Sequence, residues 1–130
     1  MSLVSTPMSV GELLDKVTIL EIKADKIKDP DKLKNINHEL QLMTKTWQET
    51  GLISGKTDEL KQALKAVNLR LWKIEDDIRI FEKNKNFGDD FIQLARSVYY
   101  QNDDRAAIKK QINEITGSEL VEEKSYESYE

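Results

Sequence analysis

The chain has no cysteine, one histidine, two prolines and five glycines in 130 residues. Without cysteine there are no disulfides and no thiolate metal sites. One histidine among scattered carboxylates offers no zinc-site spacing, so neither a metal nor a cofactor is expected. His38 also faces away from its helix's apolar seam. No apolar run approaches the roughly 18 residues of a membrane span. Met1 to Met8 has neither the basic start nor the apolar core of a signal peptide, so the cytoplasm is the expected location. There is no Gly-rich phosphate loop, no Ser-His-Asp set and no cysteine nucleophile. The net charge is -4, and its signs are interspersed. That argues against non-specific nucleic-acid binding, which needs a basic surface. The basic side chains Lys56, Lys61, Lys65, Arg70 and Lys73 read as a solvated face.

What is present is helix. The residues are 38% hydrophobic and 34% charged, and the apolar ones recur in a 3-4-3-4 step, the coiled-coil spacing. The seams are Val10, Leu13, Val17, Leu20, Ala24 and Ile27; Leu33, Ile36, Leu40, Met43 and Trp47; and Leu60, Leu64, Val67, Leu71, Ile74, Ile78 and Phe81. A fourth seam contains Phe91, Leu94, Val98, Gln101, Arg105, Ile108, Ile112 and Ile115.

Helices are expected over 9–28, 30–50, 58–85 and 89–116, with a tail at 118–130. Ser9 and Glu12 form a capping box. Asp29 caps the second helix ahead of Pro30, and Thr57 is the expected cap of the third. Asn102-Asp103-Asp104 resembles a new helix start, but the apolar step passes through it in phase. One long helix is favoured over two, with a kink or break near Gln101 as the alternative. The expected fold is all-α: one domain, an antiparallel bundle of four helices with a docked C-terminal tail. At about 1.5 Å per residue the last two helices overhang the first two. That overhang calls for cover by the tail or by another subunit.

Some helices are apolar on a second face. Ile19 and Ile22 lie off the first seam; Leu69, Trp72 and Ile80 lie off the third. A helix apolar on two faces is normally buried on both, which predicts a homodimer of C2 symmetry through these stripes. Scattered surface hydrophobes are the plainer alternative. In the tail, Leu120, Val121, Tyr126 and Tyr129 are the expected anchors, packing on Ile19 and Ile22 or on a partner.

Glu21 falls inside the first apolar arc, where an unpaired carboxylate costs several kcal/mol. Arg105 is its expected partner, with Gln101 completing a network. Three readings follow: a buried salt bridge that sets helix register, a polar ligand pocket, or a bundle end that exposes both groups. Arg96, Tyr99, Tyr100, Gln101, Asn102 and Arg105 form the densest block of recognition-type side chains, suited to an anion, a sugar or a base. Tyrosine pairs on long helices also mark interfaces. The pairs Asp76-Asp77, Asp89-Asp90 and Asp103-Asp104 diverge by about 100° on a helix, which favours surface and cap roles over Mg²⁺ binding.

Two stretches carry a resemblance. One is Ser9-Val-Gly-Glu-Leu-Leu-Asp-Lys-Val-Thr-Ile-Leu-Glu-Ile-Lys through Asp29-Pro30. The other is Tyr99-Tyr-Gln-Asn-Asp-Asp-Arg-Ala-Ala-Ile-Lys through Glu122-Glu-Lys-Ser-Tyr126. Together they resemble a family of small bacterial and phage proteins described only as a domain of unknown function. The resemblance implies a setting near glycosyltransferase and surface-polysaccharide genes, and no catalytic residues. The middle of the chain, Glu49 to Phe87, carries no resemblance. In architecture alone the chain is also similar to small all-helical chorismate mutases. Those need an Arg on the first helix, which this chain lacks, and Lys16, Lys23 and Lys26 lie off its apolar arc. The expected function is a non-catalytic interaction or accessory module linked to carbohydrate assembly. The alternative is a small enzyme taking an anionic substrate around Glu21, Gln101 and Arg105.

Overall fold

The computed structural model describes residues 2–130, and Met1 lies outside the described residues. The protein is an all-α bundle of four helices: α1 (Val10–Lys26), α2 (Pro30–Glu49), α3 (Gly55–Lys83) and α4 (Asp89–Thr116). No described residue is in a strand.

Local chemistry sets the ends. Ser9 Oγ accepts the Glu12 N–H at 3.1 Å. The Asp29 carboxylate accepts the N–H groups of Asp31 and Lys32, with Pro30 in the first helical position where its missing N–H is harmless. α3 starts earlier than expected, because Ser54 and not Thr57 is its N-cap. Ser54 Oγ accepts the Thr57 N–H at 3.1 Å, and Thr57 Oγ1 accepts the Ser54 N–H at 2.8 Å. Threonine here takes the part usually played by Glu or Gln, so the cap lies three residues upstream of its most visible marker. Ser54→Ala should cost about 1 kcal/mol, read as a lower urea midpoint. An unchanged midpoint would mean that the Thr57 hydroxyl alone caps the helix.

α4 runs unbroken through Asn102-Asp103-Asp104. It stops at Gly117, whose φ of 64° is a left-handed conformation that glycine adopts without a Cβ penalty. The Ser118 N–H then bonds back to the Asn113 carbonyl at 2.9 Å.

α1 is the central helix and packs against all three others, whereas α2 approaches α1 alone. Gly11 lies beside Asn113 and Asp15 beside Lys109, so α1 and α4 run antiparallel. The core is Leu13, Leu14, Val17, Trp47, Leu60, Leu64 and Ile112. Past Asn68 no residue of α3 is fully buried. The cause is length: α1 has 17 residues and α3 has 29, so α1 ends roughly 18 Å short of spanning α3. The far end of the α3–α4 hairpin leaves Ile80, Phe87 and Ile92 exposed.

Three expectations need correction. Ile115 is exposed, while Lys109 and Asn113 join Ile112 in the buried stripe of α4. That face is turned toward Gly11, where α1 comes closest. The tail does not dock through its apolar residues: Leu120, Val121 and Tyr126 are 44%, 51% and 80% exposed. It turns back along α4 instead, held by polar and aromatic contacts described below. α1 ends at Lys26, with Ile27 as its C-cap, and does not reach Lys28.

Candidate functional site

A buried lysine lies at the junction of α1, α4 and the tail. Lys109 Nζ is 2.7 Å from Glu12, 2.7 Å from Glu122 and 3.8 Å from Asp15, and the lysine side chain is only 7% exposed. Asp15 in turn accepts a hydrogen bond from Asn68 Nδ2 at 2.9 Å. The same amide donates to Thr18 Oγ1 at 3.0 Å, and Thr18 donates to the Asp15 carbonyl. Alongside, Asn113 Oδ1 accepts the Gly11 N–H at 2.7 Å. Every buried side-chain polar atom among the described residues has a partner. One ammonium serves three carboxylates here, which is tolerated because Glu12 and Glu122 keep contact with water while Asp15 is held by Asn68.

Two visible signals announce the network. Gly11, Asp15, Thr18 and Ile22 follow a 4-3-4 step on α1, a second buried stripe beside the apolar seam. Lys109 and Asn113 are one turn apart on α4. Sequence reasoning passed over Glu12, Asp15, Thr18, Asn68, Lys109, Asn113 and Glu122 as network members, because lysine and aspartate are ordinarily exposed.

Burial by itself pulls the Lys109 ammonium down. Its hydrogen bonds to Glu12 and Glu122, with the Asp15 charge, outweigh that and hold it above its ordinary 10.5. The hydrogen bond from Lys109, opposed by burial, holds the Glu122 carboxyl below its ordinary 4.5. The depressed carboxyl stabilises docking above pH 4.5, and this is lost as pH falls through its lowered value. The raised lysine stabilises below pH 10.5, and this is lost as pH rises through its raised value. Amide shifts of the tail should therefore be flat between those limits and move in acid. Glu122→Gln should remove the acid step. An acid step that survives in that variant would assign it to another carboxylate.

Glu21 is not paired with Arg105. It bridges Lys61 at 3.3 Å and Lys65 at 3.5 Å on α3, with its side chain 27% exposed. The cause is rotation: Glu21 lies on the α3-facing edge of α1, whereas Asn68, Asn102 and Arg105 meet α1 along the side of Ile19 and Ile22. Gln101 is likewise elsewhere, accepting a 2.8 Å hydrogen bond from Arg70 Nε. The network proposed among Glu21, Gln101 and Arg105 is therefore not assembled.

Arg105 and Asn102 instead form a wall shared by two open grooves. The first, of about 530 Å³, runs between α1, α3 and α4 past Ile19, Ile22 and Trp72. The second, of about 560 Å³, lies between α4 and the tail past Val98, Tyr99 and Tyr129. Arg105 makes no salt bridge or side-chain hydrogen bond among the described residues. Arg96 is exposed, bonds Gln93 at 3.4 Å, and lies within reach of the Tyr99 and Tyr100 hydroxyls, which hold its guanidinium above its ordinary value, Tyr99 the more strongly. Tyr99 and Tyr100 stack with centroids 5.0 Å apart, and Tyr129 packs edge-on against each at 5.1 Å. The Tyr129 hydroxyl donates to the Asp103 carboxylate, which pushes the phenol up to about 12.

Of the outer stripe, Ile22 is buried within its own chain, and Ile19 and Trp72 are half-buried at the first groove. Only Leu69 and Ile80 remain exposed. Among the described residues no group of three His, Asp or Glu side chains is placed to hold a metal, and no helix is long and apolar enough to cross a membrane.

These features define a small all-α bundle with an ionic interior and an unpaired arginine between two surface grooves. The chain belongs to a family of unknown function, DUF6165, whose model matches residues 4–129. That match includes the middle segment, Glu49 to Phe87. No curated protein and no solved structure matches the chain.

Proposed function

We propose that this protein is a non-catalytic interaction and accessory module of the cytoplasm. It self-associates as a homodimer and presents the Asn102–Arg105 wall to an anionic, sugar-type ligand. The reading places it in carbohydrate or surface-polysaccharide assembly, following the setting that its family resemblance implies.

One observation supports it above the others: Arg105 has no ionic partner among the described residues, yet it stands half-buried in two open grooves. A guanidinium offers a planar fork of donors suited to a carboxylate or phosphate. In the first groove Trp72, Ile19 and Ile22 supply an apolar side. Glucose 1-phosphate and glucuronic acid are suitable probes, with Trp72 fluorescence as the readout. Binding is expected, and Arg105→Ala should weaken it about tenfold, the value of one charged hydrogen bond. No response to either probe at millimolar concentration would remove the ligand reading. Self-association draws support from the exposed Leu69 and Ile80, and sedimentation equilibrium tests it.

A second reading, a small enzyme for an anionic molecule, is favoured by the convergence of Arg105, Tyr99 and Tyr129 on one groove. Probe turnover, and not probe binding alone, would select it.

A further inference from the structure

The C-terminal segment is one wall of the 560 Å³ groove that Arg105 enters. To that groove α4 brings Asp103 and Arg105, and the segment brings Lys124 and Glu127. After Ser118 no backbone hydrogen bond ties residues 119–130 to a helix. Side chains hold the segment in place at two points. Glu122 reaches Lys109 at 2.7 Å, and Tyr129 reaches Asp103 while packing on Tyr99 and Tyr100.

Glu122 also fixes a second cation. Its Oε2 is 2.7 Å from Lys109 Nζ, and its Oε1 is 3.3 Å from Lys124 Nζ. The Lys124 ammonium lies 5.7 Å from the centre of the Tyr126 ring as well. A lysine on an extended terminus ordinarily sweeps through water on its flexible stem. Here the buried network of α1 and α4 holds it, through Glu122, on the wall opposite Arg105. Two cations from two different elements therefore line one groove.

Asp103 and Glu127 line the groove too, so its four formal charges cancel. No broad positive field draws in a simple anion, and retention depends on direct contacts. Two cations match the nearly two charges that a phosphate monoester carries at neutral pH, whereas a carboxylate brings only one. The two carboxylates are acceptors for hydroxyl groups. Asp103 already takes the Tyr129 hydroxyl and has lone pairs to spare. Tyr99 and Tyr129 add aromatic surface for the apolar face of a ring.

We propose that this groove binds a sugar phosphate, with Arg105 and Lys124 together holding the phosphate and the C-terminal segment closing one side. This rests on the ligand reading above and narrows it to one groove, and to phosphate over carboxylate.

The test titrates the intact chain with glucose 1-phosphate, glucuronic acid and inorganic phosphate. Arg105 lines both grooves, so Trp72 fluorescence senses occupancy of either, whereas amide shifts at 122–129 mark the second. Glucose 1-phosphate should bind most tightly and shift the amides of 122–129. Lys124→Gln, a change outside the core, should weaken it about tenfold, the value of one charged hydrogen bond, and affect glucuronic acid less. A Trp72 response with no shift at 122–129 overturns the assignment and leaves the ligand reading intact. So does a Lys124→Gln variant that binds glucose 1-phosphate as tightly as the parent. Inorganic phosphate binding as tightly as glucose 1-phosphate overturns the sugar half of the proposal. No response to any of the three overturns both this proposal and the ligand reading.

Discussion

Lys109→Ala should be the most damaging single substitution, with an expected loss of about 3–5 kcal/mol in urea or thermal unfolding. The lysine packs against Gly11 and is the one cation shared by Glu12, Asp15 and Glu122 in this network. Glu122 can swing into water when the cation is gone, and Glu12 is partly solvated already. Asp15 cannot, because its side chain is 6% exposed and fixed by Asn68. The penalty is thus concentrated on one stranded carboxylate. Asp15→Asn in the Lys109→Ala background should recover part of the loss, because the amide needs no counter-charge. A double-mutant cycle would then show strong non-additivity. A loss below about 1 kcal/mol would mean that water reaches Asp15 and that the network is not an interior one.

Gly11→Ala is expected to destabilise by about 2 kcal/mol, against the sign that helix propensity predicts. Alanine in place of glycine within a helix ordinarily gains up to about 1 kcal/mol. Here a Cβ would stand 2.7 Å from the Lys109 carbonyl oxygen, 3.0 Å from Asn113 Oδ1 and 3.1 Å from Lys109 Cβ. The nearest of these is backbone, so a rotamer change cannot relieve the contact. α1 and α4 must separate, which also stretches the 2.7 Å bond from the Gly11 N–H to Asn113. Overpacking of this kind typically costs 1–3 kcal/mol. A stabilised Gly11→Ala variant would show that the helices are less tightly apposed.

Gly11 and Lys109 also show what sequence patterns convey and what they do not. Gly11 lies in the first turn of a well-capped helix, and the pattern predicts that helix from Ser9 and Glu12 without reference to anything else. Nothing local says that the glycine is the point of closest approach to another helix. Lys109 follows Ile108, and on a helix one residue is about 100° of rotation. A seam assigned through Ile108, Ile112 and Ile115 is therefore centred about a quarter turn away from the one observed through Lys109, Ile112 and Asn113, although both contain Ile112. That rotation decides whether an ammonium is in water or inside. Glu21 was recognisable as anomalous on its helix, but its partners on α3 depend on how two helices cross.

The amino-acid sequence alone determined the all-α class, the four helices and the stop of α4 at Gly117, and it favoured without deciding the continuity of α4 through Asn102-Asp103-Asp104. These follow from interactions spanning no more than about a turn: caps, periodicity and backbone preference. Only the tertiary structure decided that Lys109 gathers Glu12, Asp15 and Glu122, that Glu21 belongs to Lys61 and Lys65, and that Arg105 stands unpaired between two grooves. Those pairings are settled by the rotation and crossing of whole helices, to which a periodic pattern is blind by an amount as large as one side chain.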